Sequence, residues 1–144
     1  GQESVLLLAH GMGDEDENDL VLAAMDRIAG EVAAAGFADV RAATLREDWE
    51  EERAVAEREI RAYVAERAKG GDRVLVVPVR LTGFGPYAGV LEGLDYAQGL
   101  GLMPHPIMGD WILETANRVS CDAGWGALTR SCSPVVAEEW AGQR

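Results

Sequence analysis

The chain has 144 residues, enough for one domain with its own core and no covalent staples. Its residues are 48% apolar and 26% charged, a balance that excludes wholesale disorder. A formal net charge of −12 sets the chain against phosphate, so nucleic acid and anionic membrane are poor partners. No apolar run approaches the roughly 20 residues that span a bilayer.

Val5 to Ala9 is a continuous aliphatic run, the pattern of a strand buried on both faces of a parallel sheet. It stops at His10-Gly11-Met12-Gly13. The acidic stretch Asp14 to Asp19 precedes a helical pattern from Leu20 to Ala35, with Val21, Met25, Ile28 and Val32 on one face. Gly36 is a natural stop for that helix. Asp39 to Thr44 reads as a second strand. Asp48 and Glu51 have the spacing of a capping box, with Asp48 as N-cap. The helix it opens runs to Lys69 and turns Val55, Ile60, Val64 and Ala68 towards a core. Val74 to Val79 is the third buried strand, and Pro78, lacking an amide donor, belongs at its end or at a bulge.

Leu81 to Tyr87 is a glycine-rich loop after that strand. A short helical turn and a short strand near Leu100 to Met103 are expected next. Pro106 suits the first turn of a further helix, striped by Ile107, Met108, Trp111, Ile112 and Ala116. The tail from Ser120 has no clear period, and Val135 to Trp140 reads as a last turn. Cys121 and Cys132 are spaced so that a disulfide or two reduced thiols are both open. The order of elements implies a three-layer α/β/α domain with a parallel sheet.

In such sheets ligands bind beyond the carboxyl ends of the strands. His10 to Gly13 and Thr82 to Tyr87 fall there. A neutral imidazole at His10 can bind a metal or move a proton near neutral pH. His105, between two prolines at a helix start, is a second and weaker candidate. Tyr87 and Glu92 follow the glycine-rich loop and could face the same cleft. The acidic runs lack the spacing of a calcium loop and read as solvated turns. There is no dinucleotide fingerprint, P-loop or nucleophile elbow, so no nucleotide cofactor is expected.

Three segments together resemble the class II tetrapyrrole chelatases of the CbiX and SirB type. They are the aliphatic run ending in His10-Gly11, the strand Val74–Val79 followed by Leu81-Thr82-Gly83, and Gly101-Leu102-Met103-Pro104-His105-Pro106. The resemblance covers about residues 4 to 118. It implies a flavodoxin-like chelatase half-domain over residues 1–119; the tail over 120–144 is not part of the family pattern and is expected as a C-terminal extension packed on the same domain. The resemblance implies a lyase that inserts Co²⁺ or Fe²⁺, as substrate, into a tetrapyrrole such as sirohydrochlorin. His10 is then catalytic and the metal ligand. Gly11, Met12, Gly83, Gly85, Tyr87, Glu92 and His105 are then substrate-binding. It implies a homodimer, because short chains of this family pair.

Two departures from the family pattern matter. Met12 replaces the usual serine, and Tyr87 stands where the family places a second histidine, although phenol is a poorer ligand than imidazole for late first-row ions. Two further readings therefore stand beside the enzyme. One is a non-catalytic metal- or tetrapyrrole-binding module on a chelatase fold, and the other is one half of a larger chelatase. The expected compartment is the cytoplasm, or the periplasm if an export segment preceded Gly1.

Overall fold

The fold is seen in a computed structural model, described over residues 2–128 and 131–132. The chain forms two compact units, Gly1–Pro104 and His105–Arg144. The first unit holds β1 (Glu3–Ala9), α1 (Glu15–Ala33), β2 (Asp39–Thr44), α2 (Glu50–Lys69), β3 (Arg73–Pro78), α3 (Tyr87–Val90) and β4 (Ala97–Gln98).

The four strands form one all-parallel sheet in the order β2-β1-β3-β4. β1 is buried from Ser4 to Ala9 because it is flanked by strands and covered on both faces. The period of two divides its side chains between two cores. Leu6 and Leu8 join Ile60, Tyr63 and Val64 of α2 and Tyr87 and Val90 of α3 on one face. Val5, Leu7 and Ala9 join Met25 and Ala29 of α1 on the other. This is the three-layer α/β/α arrangement that the sequence predicts. Enclosing Leu6 or Leu8 contributes about 1.5–3 kcal/mol each by area. β1 and β3 are neighbours although β2 lies between them in sequence. The chain therefore reverses direction of growth beside β1, and the crevice beyond its end is where ligands bind in sheets of this order.

Several elements differ from the sequence expectation. α1 starts at Glu15, so Glu15, Asp16 and Glu17 are its first turn, and Asp14 caps it by accepting from the Glu17 N–H at 3.0 Å. Ile28 is half exposed rather than on the core face. α2 begins at Glu50 with Trp49 as N-cap and no side-chain cap, so the Asp48 capping box does not form. The Asp48 carboxylate is drawn away by a histidine across the loop. Val55 is 46% exposed and lies outside the core, lining an open groove instead. The short strand pairs at Ala97–Gln98, upstream of Leu100, where the chain first comes alongside β3. Residues 99–103 then follow the β3 exit, with Gly99 N–H donating to Val76 O at 2.8 Å and Leu102 N–H to Arg80 O at 2.9 Å.

The second unit holds α4 (Ile107–Asp122), with Pro106 at its N-cap. Of its expected apolar stripe, Ile107, Trp111, Ile112 and Ala116 are exposed and Met108 is half-buried; Leu113, outside that stripe, is exposed too. The buried positions of α4 are polar, Asn117 and Ser120. They fold back the following turn, with Asn117 Oδ1 accepting from Leu128 N–H at 2.7 Å and Ser120 Oγ donating to Gly126 O at 2.8 Å. Cys121 and Cys132 are joined in a disulfide. The turn expected at Val135 to Trp140 lies outside the described residues. Among the described residues no helix is long and apolar enough to cross a membrane.

Candidate functional site

His10 is the first residue past β1, and its carbonyl still accepts from Arg46 N–H at 2.6 Å, which ties it to the exit of β2. Gly11 follows with φ +80°, a conformation a side chain resists. A Cβ there would also strike Thr44 and Asn18. The turn brings the Gly11 carbonyl to His10 Nδ1 at 2.8 Å. A carbonyl only accepts, so an Nδ1–H donates to it and Nε2 is the nitrogen left to face Asp48. Nε2 lies 3.1 Å from Asp48 Oδ2. The His10 side chain is 44% exposed and that of Asp48 74%, so a solute can reach both.

Trp49 holds the ring from the side, edge-to-face with centroids 5.7 Å apart. Its indole occupies the space a side chain at Gly13 would need. The loop itself is fastened by Arg46, whose φ of +56° is rare for a residue with a side chain. Its guanidinium is nearly buried. It donates to Met12 O at 2.8 Å, to Gly13 O, and to Glu15 Oε1 at 2.7 Å. Asn18 completes the fastening: its Oδ1 accepts from Met12 N–H at 3.1 Å and from Thr44 Oγ1 at 3.0 Å.

A second cluster lies at the ends of β2 and β3. Arg80 donates to Glu47 Oε1 at 2.7 Å, and its guanidinium carbon stands 5.4 Å from the centre of the Tyr87 ring. Gly85 has φ +61°, and a Cβ there would overlap the Arg80 guanidinium. Tyr87 is fully enclosed. Its hydroxyl has no hydrogen-bond partner among the described residues. Burial first, then the Glu47 carboxylate, hold its proton well above the ordinary phenol range. A neutral, enclosed phenol is a structural neighbour of the cleft rather than an open ligand.

His10, Gly11 and Met12 therefore share one loop beside Asp48, while Gly83, Gly85 and Tyr87 share the loop around Arg80. The adjacent residues Glu47 and Asp48 join the two loops. Glu92 is exposed, and its backbone carbonyl accepts from Arg61 of α2 at 3.2 Å. His105 belongs to the second unit, where its Nδ1 accepts from Ile107 N–H at 3.2 Å and caps the start of α4.

Sequence reasoning did not single out Arg46, Trp49, Glu47 or Arg80 for the site. Their shared signal is position, since each lies within a few residues of the carboxyl end of β2 or β3. Among the described residues no three His, Cys, Asp or Glu side chains are grouped to hold a metal. The donor set is one imidazole and one carboxylate. No protein-family model matches the chain, and no curated protein matches it.

Proposed function

We propose that the chain takes up a divalent ion at His10 Nε2 and Asp48 and passes it to a tetrapyrrole such as sirohydrochlorin, with Co²⁺ or Fe²⁺ as the metal substrate. The observation that carries this reading is the His10–Asp48 pair at the end of β1. Two bonds of about 2.1 Å to one ion, at tetrahedral or octahedral angles, put the donor atoms about 3.0–3.4 Å apart. The two donors here are 3.1 Å apart and both are open to solvent. A permanent structural site takes four protein ligands, so two suit an ion that must leave again.

Insertion exchanges one M²⁺ for the two pyrrole N–H protons. When the ion departs, the Nε2 lone pair and the Asp48 carboxylate are both bare, and each can accept one of those protons. The Nδ1–H···O=C bond to Gly11 keeps the ring aimed while this happens, as an outer hydrogen bond does for a metal-bound histidine. Arg46 and Trp49 keep loop and ring in register. The reading also carries a homodimer, supported by the exposed apolar residues of α4.

A binding module without catalysis is the second reading. It is favoured by Tyr87, which is enclosed where a second open ligand would be needed. The experiment mixes the purified chain with sirohydrochlorin and Co²⁺ or Fe²⁺ and follows the absorbance spectrum. Insertion faster than the protein-free rate, and lost in His10→Ala, is expected. A spectral shift without faster insertion selects the binding module. No shift and no insertion overturn both readings.

A further inference from the structure

We propose that the free edge of β2, with the groove beside it, docks an extended basic segment of a partner protein as a fifth strand of the sheet. Among the described residues β2 pairs with β1 alone, so its other edge keeps N–H and C=O groups that no described strand pairs. Natural edge strands are commonly blunted by proline, by lysine or by a covering element. β2 has no proline and no lysine; its one cation, Arg41, lines the groove beside the edge and rests on the Tyr63 ring, with its guanidinium carbon 5.4 Å from the ring centre.

Beside this edge is a groove of about 360 Å³, running between α1 and α2. Its floor is apolar, formed by Leu22, Ala42, Val55, Ala56 and Ile60. Such a volume accepts two or three aliphatic side chains of an added strand. Glu52 and Glu59 of α2 stand on its wall, seven residues and hence about 10.5 Å apart along the helix. Neither has an ion-pair partner among the described residues, whereas of the two arginines in the same lining Arg46 is held by Glu15 and loop carbonyls and Arg41 by the Tyr63 ring. Alternate side chains of an added strand point the same way about 6.8 Å apart, so long lysine or arginine stems can reach both carboxylates while the intervening residues meet the apolar floor.

The charge decides the occupant. A second copy paired edge to edge would set Glu52 and Glu59 against their own kind, in a chain of net charge −12. A nucleic acid is repelled for the same reason. A basic segment with aliphatic residues at alternate positions meets the edge, the floor and the two carboxylates together.

The test uses the whole chain and an acetylated, amidated octapeptide of alternating valine and lysine. Backbone amide shifts and hydrogen exchange are followed by NMR. Expected are slowed exchange in residues 39–44 and shifts confined to them and to residues 52–60. Binding should weaken about fivefold in the double variant Glu52→Gln/Glu59→Gln, whose fold is checked by circular dichroism. The same peptide with glutamate for lysine should not bind. Absence of binding at about 1 mM overturns the proposal. So does binding that the double variant leaves unchanged, or that leaves β2 exchange unaltered, since attraction to the general negative charge would do both.

Discussion

The indole of Trp49 lies where a side chain at Gly13 would have to go. The same indole touches the edge of His10, so the absent side chain at Gly13 and the orientation of His10 are linked through one ring. Gly13→Ala should therefore disturb more than its own turn. Overpacking of this kind costs about 1–3 kcal/mol. The expected result is that loss in chemical denaturation, together with a changed emission from Trp49 and shifted ring signals of His10. Trp49→Phe combined with Gly13→Ala should lose less stability than the two single changes added, because they act on one contact.

Tyr63 and Tyr87 give the fold an alkaline limit. Burial raises both phenol pKa values, helped at Tyr63 by the hydrogen bond to Asp39 at 2.9 Å and at Tyr87 by the charge of Glu47. In the unfolded chain both titrate near pH 10. Below that pH neither state loses the proton and the contribution to stability is complete. Above it the unfolded chain releases protons that the folded chain keeps, so stability falls as pH rises. The slope approaches about 1.4 kcal/mol per pH unit for each tyrosine. Urea midpoints measured from pH 8 to pH 11 should be level and then drop. Tyr87→Phe removes one proton from the balance and an unpartnered hydroxyl with it, so it should flatten the drop at little or no cost near neutral pH.

The sheet was legible because its signals are local. The aliphatic runs of β1 and β3 need no knowledge of their neighbours, and Pro78 falls at the last position of β3, where a missing donor does least harm. His10 was legible for the same reason, as the residue at which such a run stops. Its partners were not. Asp48 has the spacing of a cap, and only the path of the loop shows that its carboxylate meets His10, 38 residues earlier. Arg46 reads as a surface charge until the loop folds over it. The pairing of Glu47 with Arg80 depends on β2 and β3 ending at the same level of the sheet, a tertiary fact with no signature in either segment.

The exposed side chains of α4 predict association. Ile107, Trp111, Ile112 and Leu113 are 51–59% accessible on one 16-residue helix. Isolated helices of that length are marginal in water and hold best when an apolar face is covered. Light scattering on the whole chain should give the mass of a dimer. Trp111→Glu should return the monomer mass while leaving the first unit folded, as judged by its amide exchange.

Glu47 and Asp48 are neighbours that should fail in different ways. Glu47 is 13% exposed at its side chain and holds Arg80, itself 28% exposed. Glu47→Gln leaves that guanidinium against Tyr87 with a neutral partner, and should cost about 1–3 kcal/mol of stability. Asp48 is 74% exposed and its one described side-chain bond is to His10. Asp48→Asn should leave stability within about 0.5 kcal/mol of the parent. It keeps a neutral oxygen beside Nε2 but removes the charge and the base that the proposed reaction uses. Co²⁺ binding, read by calorimetry, should weaken about 10- to 100-fold in Asp48→Asn. The same titration should be nearly unchanged in Glu47→Gln at a temperature where that variant is folded. If the two variants exchanged these effects, the ion would have to be held at the Arg80 side of the cleft, and the role proposed for His10 would be overturned.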